Sequence, residues 1–195
     1  MDSEVVLGIF REAGALLEGH FKLSSGKHSD IYYEKFNILQ LPKLCEKVCM
    51  ALAELFKGDK VEVVVGPTMG GIIIAYEVAK NLGVNAIYAE RADSGQGRIF
   101  KRGFHINEGQ RVLIVDDVMT TGGSVFEVIE LVEKHRAEIV GIGELLDRSG
   151  GKVKFDYPFK TLATVTASAW LPEECPLCRK GMPITQRGSR KFETA

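Results

Sequence analysis

RVLIVDDVMTTGGSV, Arg111 to Val125, runs an apolar strand straight into two adjacent carboxylates and then into a Thr-Thr-Gly-Gly-Ser turn. A solvated strand end or a helix cap would need only one of those polar residues. The full set suits an anion. Backbone N–H groups from Thr120, Thr121, Gly122, Gly123 and Ser124 converge at the start of the next helix, where unsatisfied donors and the helix dipole favour negative charge, and the glycines allow close approach. Asp116 and Asp117 would repel a phosphate unless they hold hydroxyls or a metal. The ligand that reconciles both halves is a sugar phosphate, its ring hydroxyls on the aspartates and its phosphate on the turn.

Outward from this turn, strand-like and helix-like segments alternate. VEVVVGP, VNAIYAE, RVLIVDD, AEIVGIGELLD and FKTLATVTAS read as strands. GGIIIAYEVAKNLG and SVFEVIELVEKHR read as helices, as do residues from about 3 to 17 and from about 41 to 56, the latter opened by Pro42 and closed by Gly58. Several of the strands are apolar on both faces. That pattern predicts an α/β protein with an open, mainly parallel twisted sheet and helices on both faces. Two segments stand outside it: the glycine-rich, basic RADSGQGRIFKRGFHINEGQ and the tail after Trp170.

Composition narrows the class. The 195 residues, 45% of them hydrophobic, suffice for one domain with a full core. The formal charge of −1 gives no overall case for nucleic acid or an anionic membrane surface. The acidic start and the lack of a long apolar run predict a cytoplasmic protein with no membrane partner.

In an open parallel sheet, ligands bind beyond the carboxyl ends of the strands. There the sequence places Gly70 and Gly71, Arg91, the Asp116–Asp117 pair, and Arg148. No G-x-x-x-x-G-K-[ST] occurs, and Gly95/Gly97 and Gly141/Gly143 lack the third glycine of a dinucleotide fingerprint. A P-loop ATPase or a Rossmann dehydrogenase is disfavoured.

VLIVDDVMTTGGS resembles the signature of type I phosphoribosyltransferases, which bind 5-phosphoribosyl 1-diphosphate (PRPP) with Mg²⁺. Within them the chain is most similar to orotate phosphoribosyltransferases: GHFKLSSGKHSDIYY resembles their base-binding segment, VVGPTMGG their diphosphate loop and LLDRSGG their arginine turn. The likeness runs from Gly14 to about Gly151 in order, and the CPLCRKGMP tail is similar to an extension in part of that family. The resemblance implies the type I phosphoribosyltransferase fold as a single domain over residues 1–195, with an N-terminal hood at 1–40 and a C-terminal extension at 171–195.

It also implies roles. Asp116 and Asp117 contact the ribose hydroxyls and are catalytic; Thr120 to Ser124 hold the 5-phosphate, with Val118 and Met119 also in the PRPP-binding signature; Gly70, Gly71 and Arg91 serve the diphosphate. Tyr32, Tyr33, Thr120 and Arg148 belong to the orotate side, and an arginine fork beside aromatic walls independently suits a planar carboxylate. Mg²⁺ is held mainly through PRPP, with Asp116 and Asp117 as the candidate protein carboxylates. Members commonly carry a cation two residues before the Ser-Gly of the base-binding segment; here Ser24 stands beside Ser25, leaving Lys22 or Lys27 to substitute. Many also carry a Lys-rich run after the arginine matching Arg91, where this chain has Ala92-Asp93-Ser94 followed by Arg98, Lys101 and Arg102. Lys101 is the candidate loop cation, serving a neighbouring subunit's site in a homodimer.

The implied reaction is phosphoribosyl transfer from PRPP to orotate, giving orotidine 5′-monophosphate and diphosphate. A purine phosphoribosyltransferase and a non-catalytic PRPP-binding regulator are the competing readings. His20, His28, His105 and His135 lack metal-ligand spacing and read as structural or solvated; Cys45 and Cys49 read as semi-buried apolar residues on a helix. Cys175-x-x-Cys178 is half of a zinc knuckle, and with no second half of matching spacing a structural zinc is not the expectation.

Overall fold

The computed structural model describes residues 1–23, 25–166 and 168–186, so Ser24 and the end of the C-terminal extension lie outside the described residues. In chain order the elements are α1 (Ser3–Glu12), β1 (Leu16–Lys22), β2 (His28–Tyr33), α2 (Phe36–Leu39), α3 (Pro42–Glu54), β3 (Val63–Pro67), α4 (Gly70–Leu82), β4 (Asn85–Arg91) and β5 (Arg98–Ile99). They continue as β6 (Arg111–Met119), α5 (Gly123–Lys134), β7 (Glu138–Asp147), β8 (Phe159–Thr164), a 3₁₀ turn (Pro172–Glu174), α6 (Pro176–Arg179) and β9 (Thr185–Gln186).

The main sheet has six strands in the order β5-β4-β3-β6-β7-β8. All its pairings are parallel except that of the short edge strand β5 with β4. The two apolar faces of the central strands feed different cores. Val64, Leu113 and Val115 pack with α1, α3 and α4, whereas Val63, Val65, Val112 and Ile114 pack with α5. On α5, Val125, Val128 and Val132 recur at helical spacing and are fully buried, each contributing roughly 1.5–3 kcal/mol of transfer free energy. Gly141 and Gly143, the pair that failed as a nucleotide fingerprint, have a packing role: a Cβ on either would come within 2.6 and 2.9 Å of the Phe56 ring, which lies flat on β7.

Three expectations need correction. The first helix stops at Glu12 rather than near residue 17, because Gly14 takes a left-handed φ of 63° and the chain turns directly into β1. The tail does not stand outside the architecture: β9 pairs in parallel with β1, forming a second sheet of order β2-β1-β9. The basic glycine-rich segment is not wholly a loop, since β5 closes a hairpin on β4 and Phe100, Phe104 and Ile106 pack onto the α5-side core. Within the segment 1–40, α1 also docks on the edge strand β8 of the main sheet, where Ser3 Oγ donates to the Leu162 carbonyl at 3.1 Å.

Candidate active site

The carboxyl ends of β3, β6 and β7 meet the N-termini of α4 and α5 at one edge of the main sheet. β6 delivers Asp116 and Asp117, which alternate across the strand and are 7% and 1% exposed. Asp116 accepts from the Asp117 backbone N–H at 2.9 Å and from Ser124 Oγ at 3.1 Å, tying the strand end to the first turn of α5. Asp117 accepts from the Val118 N–H at 2.6 Å, and Lys35 Nζ stands 3.0 Å from each of its oxygens. Gly122, at φ 75°, reverses the chain just ahead of α5. The N–H groups of the turn are therefore collected at the helix start, the arrangement an anion requires.

Gly70 and Gly71 pack directly against the aspartates. A Cβ on Gly70 would lie 1.6 Å from Asp117 Oδ2, and one on Gly71 would lie 3.1 Å from Asp116 Oδ1 and 2.6 Å from Pro67 Cδ. Only bare backbone allows the β3–α4 loop to run against the aspartates. The Thr68–Met69 peptide within this loop is cis.

The site holds more negative charge than the sequence motif suggested. Glu144 stands opposite Asp116 in the β6–β7 register and is fully buried, its carboxylate oxygens without a hydrogen-bond partner among the described residues. Asp147, 1% exposed, accepts from the backbone N–H groups of Ser149 and Gly151 and shapes the turn that carries Arg148. Burial, then the neighbouring Asp117 charge, pushes the Asp116 carboxyl up to about 7. Burial also raises Asp117, opposed by Lys35, and raises Glu144 well above the ordinary range, with Asp116, Asp117 and Asp147 adding to the effect. Burial among like charges thus disfavours the ionised form of Glu144.

The Arg148 backbone N–H donates to the Met119 carbonyl at 2.8 Å, fixing this residue beside the phosphate-type turn. Its guanidinium carbon lies 4.5 Å from the centroid of the Tyr33 ring. Arg148 Nε and Tyr33 Oη are buried without a hydrogen-bond partner among the described residues. Burial lowers the Arg148 pKa and raises that of Tyr33. Tyr32, next along β2, points the other way and packs near Phe21, with ring centroids 5.6 Å apart. The paired tyrosines thus divide into one beneath the arginine and one on the opposite side of the small sheet.

The candidate loop cations behave differently from one another. Arg98 is 6% exposed, donates to the Ala89 carbonyl and Thr68 Oγ1, and lies 3.1 Å from Glu127. Arg102 pairs with Glu90 at 2.8 Å, Lys101 with Asp93 at 2.6 Å, and Arg91 approaches Glu127 at 3.7 Å. Arg98 is a structural clamp between strand and helix. Lys101 sits beyond the hairpin, paired with a residue of its exposed tip.

Residues 36–177 match the phosphoribosyl transferase domain family. The chain belongs to the phosphoribosyltransferase family. It is 49% identical to an orotate phosphoribosyltransferase of Caldicellulosiruptor bescii over 98% of this chain and 100% of that one. It is 46% identical to an orotate phosphoribosyltransferase of Chlorobium phaeobacteroides, with 97% of each chain covered. Among solved structures, an orotate phosphoribosyltransferase from Aeropyrum pernix shares the fold at a TM-score of 0.68 and 24% identity, over 82% of this chain and 93% of that one. An adenine phosphoribosyltransferase from Saccharomyces cerevisiae aligns at a TM-score of 0.62 and 26% identity, over 80% and 99%.

Against this phosphoribosyltransferase framework, Lys35 and Glu144 are the residues that sequence reasoning missed, whereas Asp147 stands with Arg148 at the strand's carboxyl end already in the sequence. Lys35 could have been suspected as a cation directly following the aromatic strand in YYEKF. Glu144 carried a weaker signal, an acid on an otherwise apolar strand. A further correction concerns His20 and His28: the small sheet brings both rings against Cys175 and Cys178, so the Cys-x-x-Cys does have neighbours capable of ligation.

Proposed function

We propose that this chain transfers the phosphoribosyl group of PRPP to N1 of orotate, releasing diphosphate and forming orotidine 5′-monophosphate in pyrimidine nucleotide biosynthesis. The observation that carries the orotate assignment is Arg148, a half-buried cation stacked on Tyr33 with a buried Nε that has no hydrogen-bond partner among the described residues, anchored through its own backbone to the end of the signature strand. A guanidinium so placed asks for a planar anion. A neutral purine would leave it unpaired. Relatives at 49% identity over nearly the whole chain are orotate phosphoribosyltransferases, which supports the same base.

In this reading the turn from Thr120 to Ser124 binds the 5-phosphate, Asp116 and Asp117 orient the ribose hydroxyls, and Gly70, Gly71 and Arg91 face the diphosphate. As the C1–O bond breaks, its electron pair leaves with diphosphate, positive charge grows on the ribose, and the N1 lone pair of orotate closes the new bond as the N1 proton departs. Asp116 and Asp117 favour the developing ribose charge through the hydroxyls. Buried carboxylates offset by the Lys35 cation are the hard oxygen donors that suit Mg²⁺, and Asp116 and Asp117 would hold it together with oxygens of PRPP. When bound, Mg²⁺ supplies positive charge against the leaving diphosphate.

The working form is a homodimer in the cytoplasm. Met69, Ile73 and Tyr76 form a strongly exposed apolar stripe on α4 beside the diphosphate loop, a surface suited to a second copy. Lys101 of one protomer then serves the partner's aspartates. No described helix is long and apolar enough to cross a membrane.

The decisive assay offers PRPP and Mg²⁺ with orotate, uracil, adenine and hypoxanthine in turn. Consumption of orotate alone is the expected result. Turnover of a purine instead would overturn the base assignment, and PRPP binding without turnover of any base would make the protein a regulator.

A further inference from the structure

Away from the main sheet, His20 on β1, His28 on β2, Cys175 just before α6 and Cys178 within it offer ligand atoms that all lie within 4.8 Å of one another. His20 Nε2 is 3.0 Å from His28 Nδ1, 3.4 Å from Cys175 Sγ and 3.8 Å from Cys178 Sγ, while His28 Nδ1 is 3.3 Å from Cys178 Sγ. Zn–N bonds of about 2.0–2.1 Å and Zn–S bonds of about 2.3 Å in a tetrahedron place neighbouring ligand atoms roughly 3.3–3.8 Å apart. The observed separations bracket that range.

We infer that these four side chains form a structural zinc site, Cys₂His₂, that fastens the C-terminal extension to the small base-side sheet. Three further features agree. His20, His28 and Cys175 are at most 4% exposed, and burying two imidazoles and a thiol against one another leaves more lone pairs than hydrogens unless a cation gathers them. The other nitrogen of His20, Nδ1, lies 2.8 Å from the Met182 carbonyl, the outer hydrogen bond that fixes an imidazole with its Nε2 lone pair free for a metal. The backbone between the cysteines winds into a tight turn, the Arg179 N–H reaching the Cys175 carbonyl and Gly181, at φ 65°, reversing the chain. The ligands come in chain order as H-x₇-H and C-x₂-C, separated by nearly the whole catalytic domain. Cys175 and Cys178 are not joined in a disulfide, which leaves both sulfurs available as ligands.

The consequence is mechanical. His28 lies on β2, the strand that carries Tyr32 and Tyr33, and His20 on β1, which pairs with it; the His28 and Trp170 backbones exchange hydrogen bonds of 2.8 and 2.9 Å, so the metal would hold the base-side sheet to the segment that returns from β8. This is a role in stability and positioning, separate from the Mg²⁺ that accompanies PRPP.

Metal analysis of protein purified under reducing conditions without chelator is expected to give one zinc per chain. Replacing the zinc by Co²⁺ should give the intense visible absorption of a four-coordinate site together with thiolate-to-cobalt charge transfer. Cys178→Ser and His28→Asn should each lose the metal and lower the melting temperature, whereas Asp116→Asn should retain it. Should the cysteine and histidine variants fail to fold, X-ray absorption on the wild-type zinc protein should show two sulfur and two nitrogen ligands. The inference is overturned if the reduced protein neither retains nor rebinds zinc. It is equally overturned if the bound zinc has only oxygen ligands, or if Asp116→Asn removes it.

Discussion

Asp116 is held in a place that does not favour its charge, and this should be measurable as a dependence of stability on pH. Its carboxyl is pushed from an ordinary 3.8 up to about 7, first by burial and then by Asp117. For a carboxyl raised in the folded state, the native protein gains most when the group is protonated: the contribution is complete below the unfolded value and is lost as pH rises through the folded one. The unfolded chain ionises Asp116 near 3.8 while the folded chain resists until about 7. At about 1.4 kcal/mol per unit, roughly 2 to 3 kcal/mol of stability should disappear between pH 5 and pH 8 on account of this one group.

Asp116→Asn removes that titration and keeps the shape. Its amide oxygen can still accept from the Asp117 N–H, and its NH₂ can donate to Ser124 Oγ, which is both donor and acceptor. Without ligands, the variant should therefore gain on the wild type as pH rises, its melting temperature moving ahead by about 5–10 °C between pH 5 and pH 8. Activity should fall at the same time, since the charge that destabilises the empty site is the one proposed to favour the developing positive ribose. Calorimetric or fluorescence melts across pH give the readout. Parallel melting curves for the two proteins over that interval would refute the claim that the surroundings of Asp116 raise its pKa.

Arg148→Ala should weaken orotate binding by about 1.5–3 kcal/mol, roughly ten- to a hundredfold, while PRPP binding measured by calorimetry barely changes; equal loss of both would make the arginine structural. Gly70→Ala should cost at least about 1–3 kcal/mol of stability and most of the activity, since its Cβ would fall 1.6 Å from Asp117 Oδ2, whereas Gly8→Ala, with nothing within 4 Å, should melt no lower than wild type. Lys101→Ala and Asp117→Asn, each inactive alone, should recover roughly a quarter of wild-type activity when unfolded and refolded together, because about half the dimers are hybrid and each hybrid has one intact site. A mixture that stays inactive while hybrids form would place the loop cation in its own chain.

The layout of the main sheet could be read from the sequence because its signals are local. A strand apolar on both faces, such as VVVGP, has few options but the middle of a covered sheet, and the glycine-bounded helices after β3 and β6 announce their own starts. The signature turn was legible for the same reason: Asp116, Asp117 and Ser124 sit within nine residues, and the contacts that join them are short in sequence. The helix boundary at Glu12 was not legible, since Ala13, Ala15 and Leu16 continue an apolar spacing that Gly14 interrupts only through its backbone conformation.

What stayed hidden depends on pairings across long separations, where type and spacing carry no signal. Lys35 reaches Asp117 across 82 positions, and Glu144 becomes a site residue only through its register with Asp116 on the adjoining strand. The metal-type cluster shows the limit most clearly. His20 and His28 fail every sequential ligand spacing because their partners lie 155 and 150 positions away, yet a hairpin that pairs Lys22 with His28 and a tail strand that pairs with Phe21 bring all four groups together. A Cys-x-x-Cys with no second half nearby is therefore weak evidence against a metal in a chain whose ends return to the same sheet. The missing half has to be sought on the strands the tail pairs with, and here those strands offer the only two histidines of the small sheet among the described residues.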